Sequence, residues 1–210
     1  MTKTSFLIPL AALALAGCGG SSAERVSPSA PAAPRACPKA SAPGWTRVAN
    51  QIHALVFCPA WMPHPLDAVI GGDYANGRSV DKDGSYLISF AWLDRAESGI
   101  VGEVHVNFRG YPGRTALPVC DDLLRIKGRL THKAIPCWAD ARGTRHVGAI
   151  TATVYTANQG ADAWHVLYAW RQNGSLYSIS EHVAPPYSSA QVVGNLDRIL
   201  RNLVAIKPSV

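Results

Sequence analysis

The sequence predicts an α+β fold: a single twisted antiparallel sheet with an N-terminal and a C-terminal helix packed on one face, held by two disulfides. Short runs of alternating apolar and polar residues are separated by tight-turn dipeptides, which is typical of antiparallel strands. Stretches with helical apolar spacing stand at both ends of these runs. Of the 210 residues, 48% are hydrophobic and 16% charged, a composition that excludes a disordered chain.

The first helical stretch runs from Trp45 to Phe57, with an apolar residue at every third or fourth position. It must end near Cys58–Pro59, because a proline cannot continue a helix. Together with Pro59, the prolines at 63 and 65 predict an extended segment, the strap (residues 59–65), in which Trp61 packs against the core.

The strands begin after Asp67, where Asn76–Gly77 and Asp83–Gly84 are dipeptides typical of tight hairpin turns. The run from Ile100 to Gly110 alternates most regularly, with His105 and its polar neighbours on the face opposite the apolar one. One face therefore meets the core, and the other meets water or a ligand.

Asn173–Gly174 marks the clearest hairpin. A two-residue turn fixes the register of the strands beside it, because each pair is counted outward from the turn. The count sets Trp170 opposite Tyr177 on the apolar face and His165 opposite His182 on the other face.

Two further segments complete the domain. Residues 120–137 are polar and predict a helical or irregular insertion. Its only obvious apolar side chains for packing on the core are Leu123, Leu124, Ile126 and Leu130. A helix capped by Ser188 or Ser189 follows, with an apolar stripe that reaches Leu203 before Pro208 stops it.

Residues 1–18 predict the cellular location of the protein. An apolar run from Phe6 to Ala16 has the length of a signal-peptide core and is too short to span a bilayer. The order Leu15-Ala16-Gly17-Cys18 resembles the lipobox of bacterial lipoproteins. That resemblance implies cleavage before Cys18, acylation of its thiol and anchoring by the lipid, with the domain outside the cytoplasm on the cell membrane or the outer membrane.

This resemblance, together with the composition of the residues that follow, divides the chain into three parts. Residues 1–17 are the cleaved signal, residues 18–44 are the lipidated cysteine and a tether rich in Pro, Ser and Ala, and residues 45–208 are one globular domain.

Once Cys18 is assigned to the lipid, four of the five cysteines remain. An even number in an exported chain indicates disulfides, and three pairings are possible. We favour Cys37–Cys58 and Cys120–Cys137, because near neighbours close modest loops and each pair brackets one coherent segment. No Cys-x-x-Cys pair is present to indicate a zinc knuckle.

The net charge of +6 comes from basic residues scattered singly, without a run interleaved with aromatics. We therefore expect no nucleic-acid partner. The partners expected are the membrane, through the lipid on Cys18, and an envelope protein or ligand whose identity the sequence leaves open.

Candidate site residues follow from the predicted faces. Trp and Arg are frequent anchors of binding sites, so Trp61, Arg109 and Trp138 are candidates in a groove between the strap and the polar face of the sheet. Imidazoles across a strand pair can share a divalent metal, so His165 and His182, with His105 if its strand lies nearby, are candidate metal ligands.

Motifs of the common exported hydrolases, zinc enzymes and nucleotide-binding proteins are absent from the sequence. We expect no cofactor, and we expect a binding or accessory module for an envelope protein, lipid or wall component. An envelope hydrolase and a metal-binding lipoprotein are the alternatives.

The end of the chain carries a second resemblance. A Trp-containing strand, Asn173–Gly174, a Tyr-containing strand and a Leu-rich helix, within residues 145–206, resemble the end of small envelope lipoprotein modules of the photosystem subunit P-like (PsbP-like) and Mog1-like type. The resemblance implies an α+β fold and no particular functional residue.

Overall fold

The computed structural model describes residues 35–67, 78–157 and 164–209, all within one compact unit. This part of the chain is mainly β, with two helices. The elements in chain order are α1 (Ala42–Ile52), β1 (Val56–Pro59), β2 (Arg78–Val80), β3 (Tyr86–Ala96), β4 (Gly99–Tyr111), β5 (Val119–Ile126), β6 (Arg129–Pro136), β7 (Gly143–Val147), β8 (Ile150–Thr156), β9 (His165–Gln172), β10 (Ser175–His182), α2 (Ser189–Arg201) and β11 (Leu203–Ile206).

The described strands form three antiparallel sheets, so the prediction of a single sheet was too simple. The main sheet has seven strands in the order β2-β3-β4-β10-β9-β8-β7. Two ribbons of two strands each, β1–β11 and β5–β6, accompany it. The antiparallel arrangement itself is confirmed.

Both helices contribute to one hydrophobic cluster with the main sheet. Trp45 of α1 packs edge-on against Phe108 of β4, with ring centroids 5.6 Å apart. Leu196 and Ile199 of α2 are fully buried in the same cluster. The apolar stripe of each helix therefore covers alternate residues of the strands, as amphipathic helices on a sheet do.

The opposite face of the sheet carries a smaller cluster. Tyr155 of β8 and Leu167 of β9, which are cross-strand partners, pack there with Trp138. Leu176 of β10 extends the cluster toward Tyr111 at the end of β4. The sheet thus buries part of both faces, and the end of this second face near His165 carries polar side chains.

The predicted register of the β9–β10 hairpin is confirmed at every position counted from Asn173–Gly174. Trp170 pairs with Tyr177, and His165 pairs with His182. Asn173 and Gly174 both have positive φ, of 49° and 72°, as a tight turn of this hand requires.

Both predicted disulfides are present. Cys37–Cys58 joins the approach to α1 with β1, and Cys120–Cys137 closes the base of the β5–β6 ribbon. The pairing of near neighbours in sequence is therefore correct.

Three predicted elements were wrong in part. The first helix ends at Ile52, and Val56 and Phe57 lie instead in β1, whose partner is β11. The last helix ends at Arg201, because Leu203 turns away to pair with Pro59. Residues 120–137 form a β-hairpin rather than a helical or irregular insertion.

Several sequence-based predictions lie outside the described residues. They are the signal segment 1–17, Cys18, residues 19–34 of the tether and the Asn76–Gly77 turn. Neither helix in the described part of the chain is long and apolar enough to cross a membrane.

Candidate functional site

The three predicted binding residues do not share one groove. Trp138 is only 4% exposed and contacts Tyr155, with ring centroids 5.4 Å apart, so it is a core residue of the second face. Arg109 is half-buried on β4, next to the buried Phe108 that points to the helices. Trp61 packs against the helix-covered cluster instead. The strap therefore lies on the helix side of the sheet, away from the face that carries Arg109.

Trp61 does take part in a surface pair, with Arg198 of α2. The guanidinium carbon of Arg198 lies 4.2 Å from the centroid of the indole ring, which is a cation–π contact. The Ala60 N–H donates to the carbonyl of Asn202 at 2.8 Å and holds the strap against the end of α2. Arg198 is exposed and Trp61 half-buried, so the pair presents a flat aromatic and cationic surface.

Trp61 was a candidate site residue from the sequence, and Arg198 was not. Arg198 lies on the polar side of the last helix, and that position alone does not predict a contact with Trp61, which is far away in the sequence.

The three histidines named as metal candidates meet on the second face of the main sheet. Because β10 lies between β4 and β9, His105 joins the predicted pair of His165 and His182. The His165 and His182 rings stack with centroids 5.3 Å apart, and the His105 ring meets His165 edge-on at 4.9 Å. His165 is buried, whereas the other two are half-buried.

Glu103 joins two of these rings. Its Oε1 lies 3.4 Å from Nδ1 of His105, and its Oε2 lies 3.1 Å from Nδ1 of His182. Nδ1 of the buried His165 is instead 2.9 Å from the hydroxyl of Ser180, on the neighbouring strand. One carboxylate thus orients two imidazoles at the edge of the cluster.

Ser89 of β3 completes the network on the other side of His105. Its Oγ lies 2.7 Å from Nε2 of His105, and it donates to Oδ1 of Asn107 at 2.6 Å. A hydroxyl has one proton, so while Ser89 donates to Asn107 the Nε2 of His105 must donate to Ser89. With Nδ1 facing the carboxylate of Glu103, both nitrogens of His105 are then placed to donate.

A second proton arrangement requires the side-chain amide of Asn107 to turn so that its Nδ2 donates to Oγ of Ser89, because two acceptor oxygens 2.6 Å apart need a proton between them. If the Ser89 hydroxyl turns to donate to Nε2 of His105, the ring is neutral and Nδ1–H donates to Glu103. Ser89, His105 and Glu103 then stand in the order of nucleophile, base and orienting carboxylate. Neither Ser89 nor Glu103 was a candidate site residue from the sequence.

A metal site is less well supported by this geometry. Within the described residues, no group of three or more His, Cys, Asp or Glu side chains is arranged to hold a metal ion. Nδ1 of each of the three histidines already faces Glu103 or Ser180. A histidine whose Nδ1 is held in this way can still ligate an ion through Nε2, so the metal hypothesis stays a prediction.

An open cleft of about 470 Å³ lies elsewhere, at the start of β5. Arg114 lines it, with Nη1 2.8 Å from Oδ2 of Asp83 and its guanidinium 5.4 Å from the centroid of the Tyr111 ring. Hydrogen bonds from Ser85 hold the pKa of Asp83 below its ordinary value. The cleft is separate from the histidines, which do not line it.

In comparisons with known proteins, no family model, no curated protein and no solved structure matches this chain.

Proposed function

We propose that this protein is a lipid-anchored protein of the bacterial cell envelope, and that its domain is an accessory module that binds an envelope partner without catalysis. The lipid on Cys18 attaches it to the cell membrane or the outer membrane, with the domain on the extracytoplasmic side. The lipobox-like order of residues 15–18 supports the anchor. The two disulfides support an oxidising compartment.

The Trp61–Arg198 pair carries the binding part of the proposal. Trp and Arg are the residues that most often dominate the energy of an interface. Here the two are stacked at 4.2 Å on a surface built from the strap and α2. A pre-stacked guanidinium loses little side-chain entropy when a partner covers it.

Mass spectrometry of the protein isolated from membranes tests the anchor. We expect the chain to begin at Cys18 and to carry the mass of its acyl groups, and Cys18→Ser to release the protein from the membrane fraction. A chain that retains residues 1–17, or a Cys18→Ser variant that stays anchored, would contradict the anchor.

Cross-linking and affinity purification from the native envelope test the binding surface. Arg198→Ala should reduce recovery of the partner about tenfold, and Arg198→Lys should also weaken it, because the charge remains while the planar stack is lost. Arg201→Ala removes the same charge three residues further along α2 and is the matched control. Equal recovery with Arg198→Ala and Arg201→Ala would refute a role for the stacked pair.

The Ser89–His105–Glu103 arrangement favours a second candidate, an envelope hydrolase of ester or amide bonds. Ser89 Oγ would attack the carbonyl carbon while its proton passes to Nε2 of His105, and that proton would then go to the leaving group. Water would hydrolyse the acyl-serine by the reverse relay. Glu103 would stabilise the imidazolium formed on the way.

A fluorophosphonate probe separates the two candidates, because it labels an activated serine. A hydrolase requires labelling that Ser89→Ala and His105→Ala abolish, and that Ser178→Ala, a change at a buried serine of the same sheet, leaves intact. The proposed non-catalytic function predicts no labelling of the folded wild-type protein.

A further inference from the structure

The β5–β6 hairpin is the element of the described chain least attached to the rest. Its strands pair from Val119↔Pro136 to Ile126↔Arg129, and among the described strands they pair with no other. The Cys120–Cys137 disulfide closes the base, where Cys120 packs against the small cluster of the second face. The half of the hairpin beyond residue 122 extends from that base.

Large apolar side chains of this hairpin are exposed. Val119, Leu123 and Leu130 are 70%, 51% and 59% exposed. Leu123 faces His132 across the ribbon, and Leu130 faces Arg125, so both leucines lie on the same face. A group of exposed apolar side chains on one element marks an interaction surface or a membrane contact.

The charge of residues 123–133 favours a membrane contact over a protein interface. Residues 123–133 contain four basic side chains and no acidic one. All four are exposed. They are Arg125, Lys127, Arg129 and Lys133. Arg125 lies on the face of the two leucines and Lys127 at the turn, whereas Arg129 and Lys133 lie on the other face of the ribbon. Leucines with cations beside them are the combination that binds an anionic bilayer surface, with the apolar groups at the acyl boundary and the cations among the headgroups.

A second hairpin end also exposes apolar side chains, but without an excess of basic ones. The β3–β4 end exposes Ile100 and Val101, which are 57% and 47% exposed. Its charged residues are Asp94, Arg95 and Glu97, so it carries no excess of positive charge. This end offers a matched control with similar apolar exposure and the opposite charge balance.

We propose that residues 123–133 of the β5–β6 hairpin form a membrane-surface contact that binds anionic phospholipid through Leu123, Leu130 and the basic side chains beside them. This contact goes beyond the proposed function, since it requires neither the lipid on Cys18 nor a protein partner. It would hold the domain itself against the bilayer, in addition to the attachment by the lipid on Cys18.

Vesicle co-sedimentation tests this contact with the unlipidated mature chain, residues 18–210 carrying Cys18→Ser. The vesicles are phosphatidylcholine, with or without phosphatidylglycerol. We expect binding to the anionic vesicles alone, weakened by salt. Leu123→Ser with Leu130→Ser, and separately Arg125→Glu with Lys127→Glu, should each reduce the apparent affinity at least about tenfold.

The control is Ile100→Ser with Val101→Ser, which should leave vesicle binding unchanged. Circular dichroism and the melting temperature show that each variant is folded. Absence of binding by the wild-type chain, or equal binding by the two leucine and the two control substitutions, would overturn the contact. So would a self-association of the wild-type chain without lipid that the leucine substitutions abolish, since the hairpin would then be a protein interface.

Discussion

The side-chain amide of Asn195 donates to Oε1 of Glu181 at 2.8 Å, beneath α2. Glu181 is fully buried on the helix-covered face of β10, and its Oε2 has no hydrogen-bond partner in the described part of the chain. Burial raises the pKa of Glu181 to about 8, and the hydrogen bond from Asn195 offsets only part of this. A proton on the carboxyl group removes the cost of a buried charge.

Glu181 makes stability fall as pH rises. Its folded pKa, about 8, lies above its ordinary value of 4.5, so between these values the folded protein holds a proton that the unfolded chain has released. The contribution is most favourable below pH 4.5 and is lost progressively up to about pH 8. The loss corresponds to at most about 5 kcal/mol, at about 1.4 kcal/mol per pKa unit.

Glu181→Gln should remove this dependence. Chemical denaturation at pH 5 and pH 8.5 should show a much smaller difference for the variant than for the wild type, because glutamine stays neutral. Glu97→Gln, at an exposed turn, is the control and should leave the wild-type difference in place. An unchanged pH dependence in Glu181→Gln would show that the buried carboxyl is not the cause.

Added zinc should change the melting temperature little. In the described residues no group of three or more His, Cys, Asp or Glu side chains is arranged to hold a metal ion, and Nε2 of His105 already lies 2.7 Å from Oγ of Ser89. Differential scanning fluorimetry with zinc measures this, with the chelated sample as control. A large rise that His165→Ala with His182→Ala removes would instead restore the metal hypothesis.

The sequence could predict the pairing of His165 with His182 because a two-residue Asn-Gly turn fixes the register by counting. The same count fails between β3 and β4. A register shift at Asp94/Arg95 inserts one residue, and a slip of one residue moves every side chain to the other face. The contact of Ser89 with His105 therefore could not be derived from the sequence.

The β5–β6 hairpin was missed for a different reason. Its turn is Lys127–Gly128, and a lysine with a φ of 48° is not a usual turn signal. Leu123 and Leu124 occupy opposite faces of a ribbon that the core does not cover, so no period-two pattern marks the strand. The end of α2 was misplaced because Leu203 fits the helical stripe, while pairing with β1 decides its conformation.

The two disulfides should differ in what they stabilise. Cys58 is fully buried in β1, so Cys37→Ala with Cys58→Ala should lower the free energy of unfolding of the whole domain by about 3 kcal/mol. Cys120→Ala with Cys137→Ala should lower it less, because this disulfide lies at the small cluster of the second face, and the strands beyond it pair only with each other among the described strands.

Limited trypsin digestion measures the local effect of the second disulfide. Without it, cleavage within 123–133 should become faster, since that segment contains four exposed basic residues. Equal digestion rates in the wild type and the Cys120→Ala with Cys137→Ala variant would show that strand pairing alone holds the hairpin.

Gly110 of β4 is required by the packing of Tyr86. It pairs with Tyr86 on one side and Tyr177 on the other, and a Cβ at this position would lie 2.3 Å from Cε1 of the buried Tyr86 ring. Gly110→Ala must therefore displace an aromatic ring in a closed core, and should lower the free energy of unfolding by about 1 to 3 kcal/mol. Gly194→Ala is the matched control, because a Cβ in the middle of α2 meets nothing within 4 Å. It should raise the free energy of unfolding by about 0.5 to 1 kcal/mol, since alanine favours the helix. Urea denaturation of both variants measures the two changes, and a neutral Gly110→Ala would mean that Tyr86 does not close over the strand.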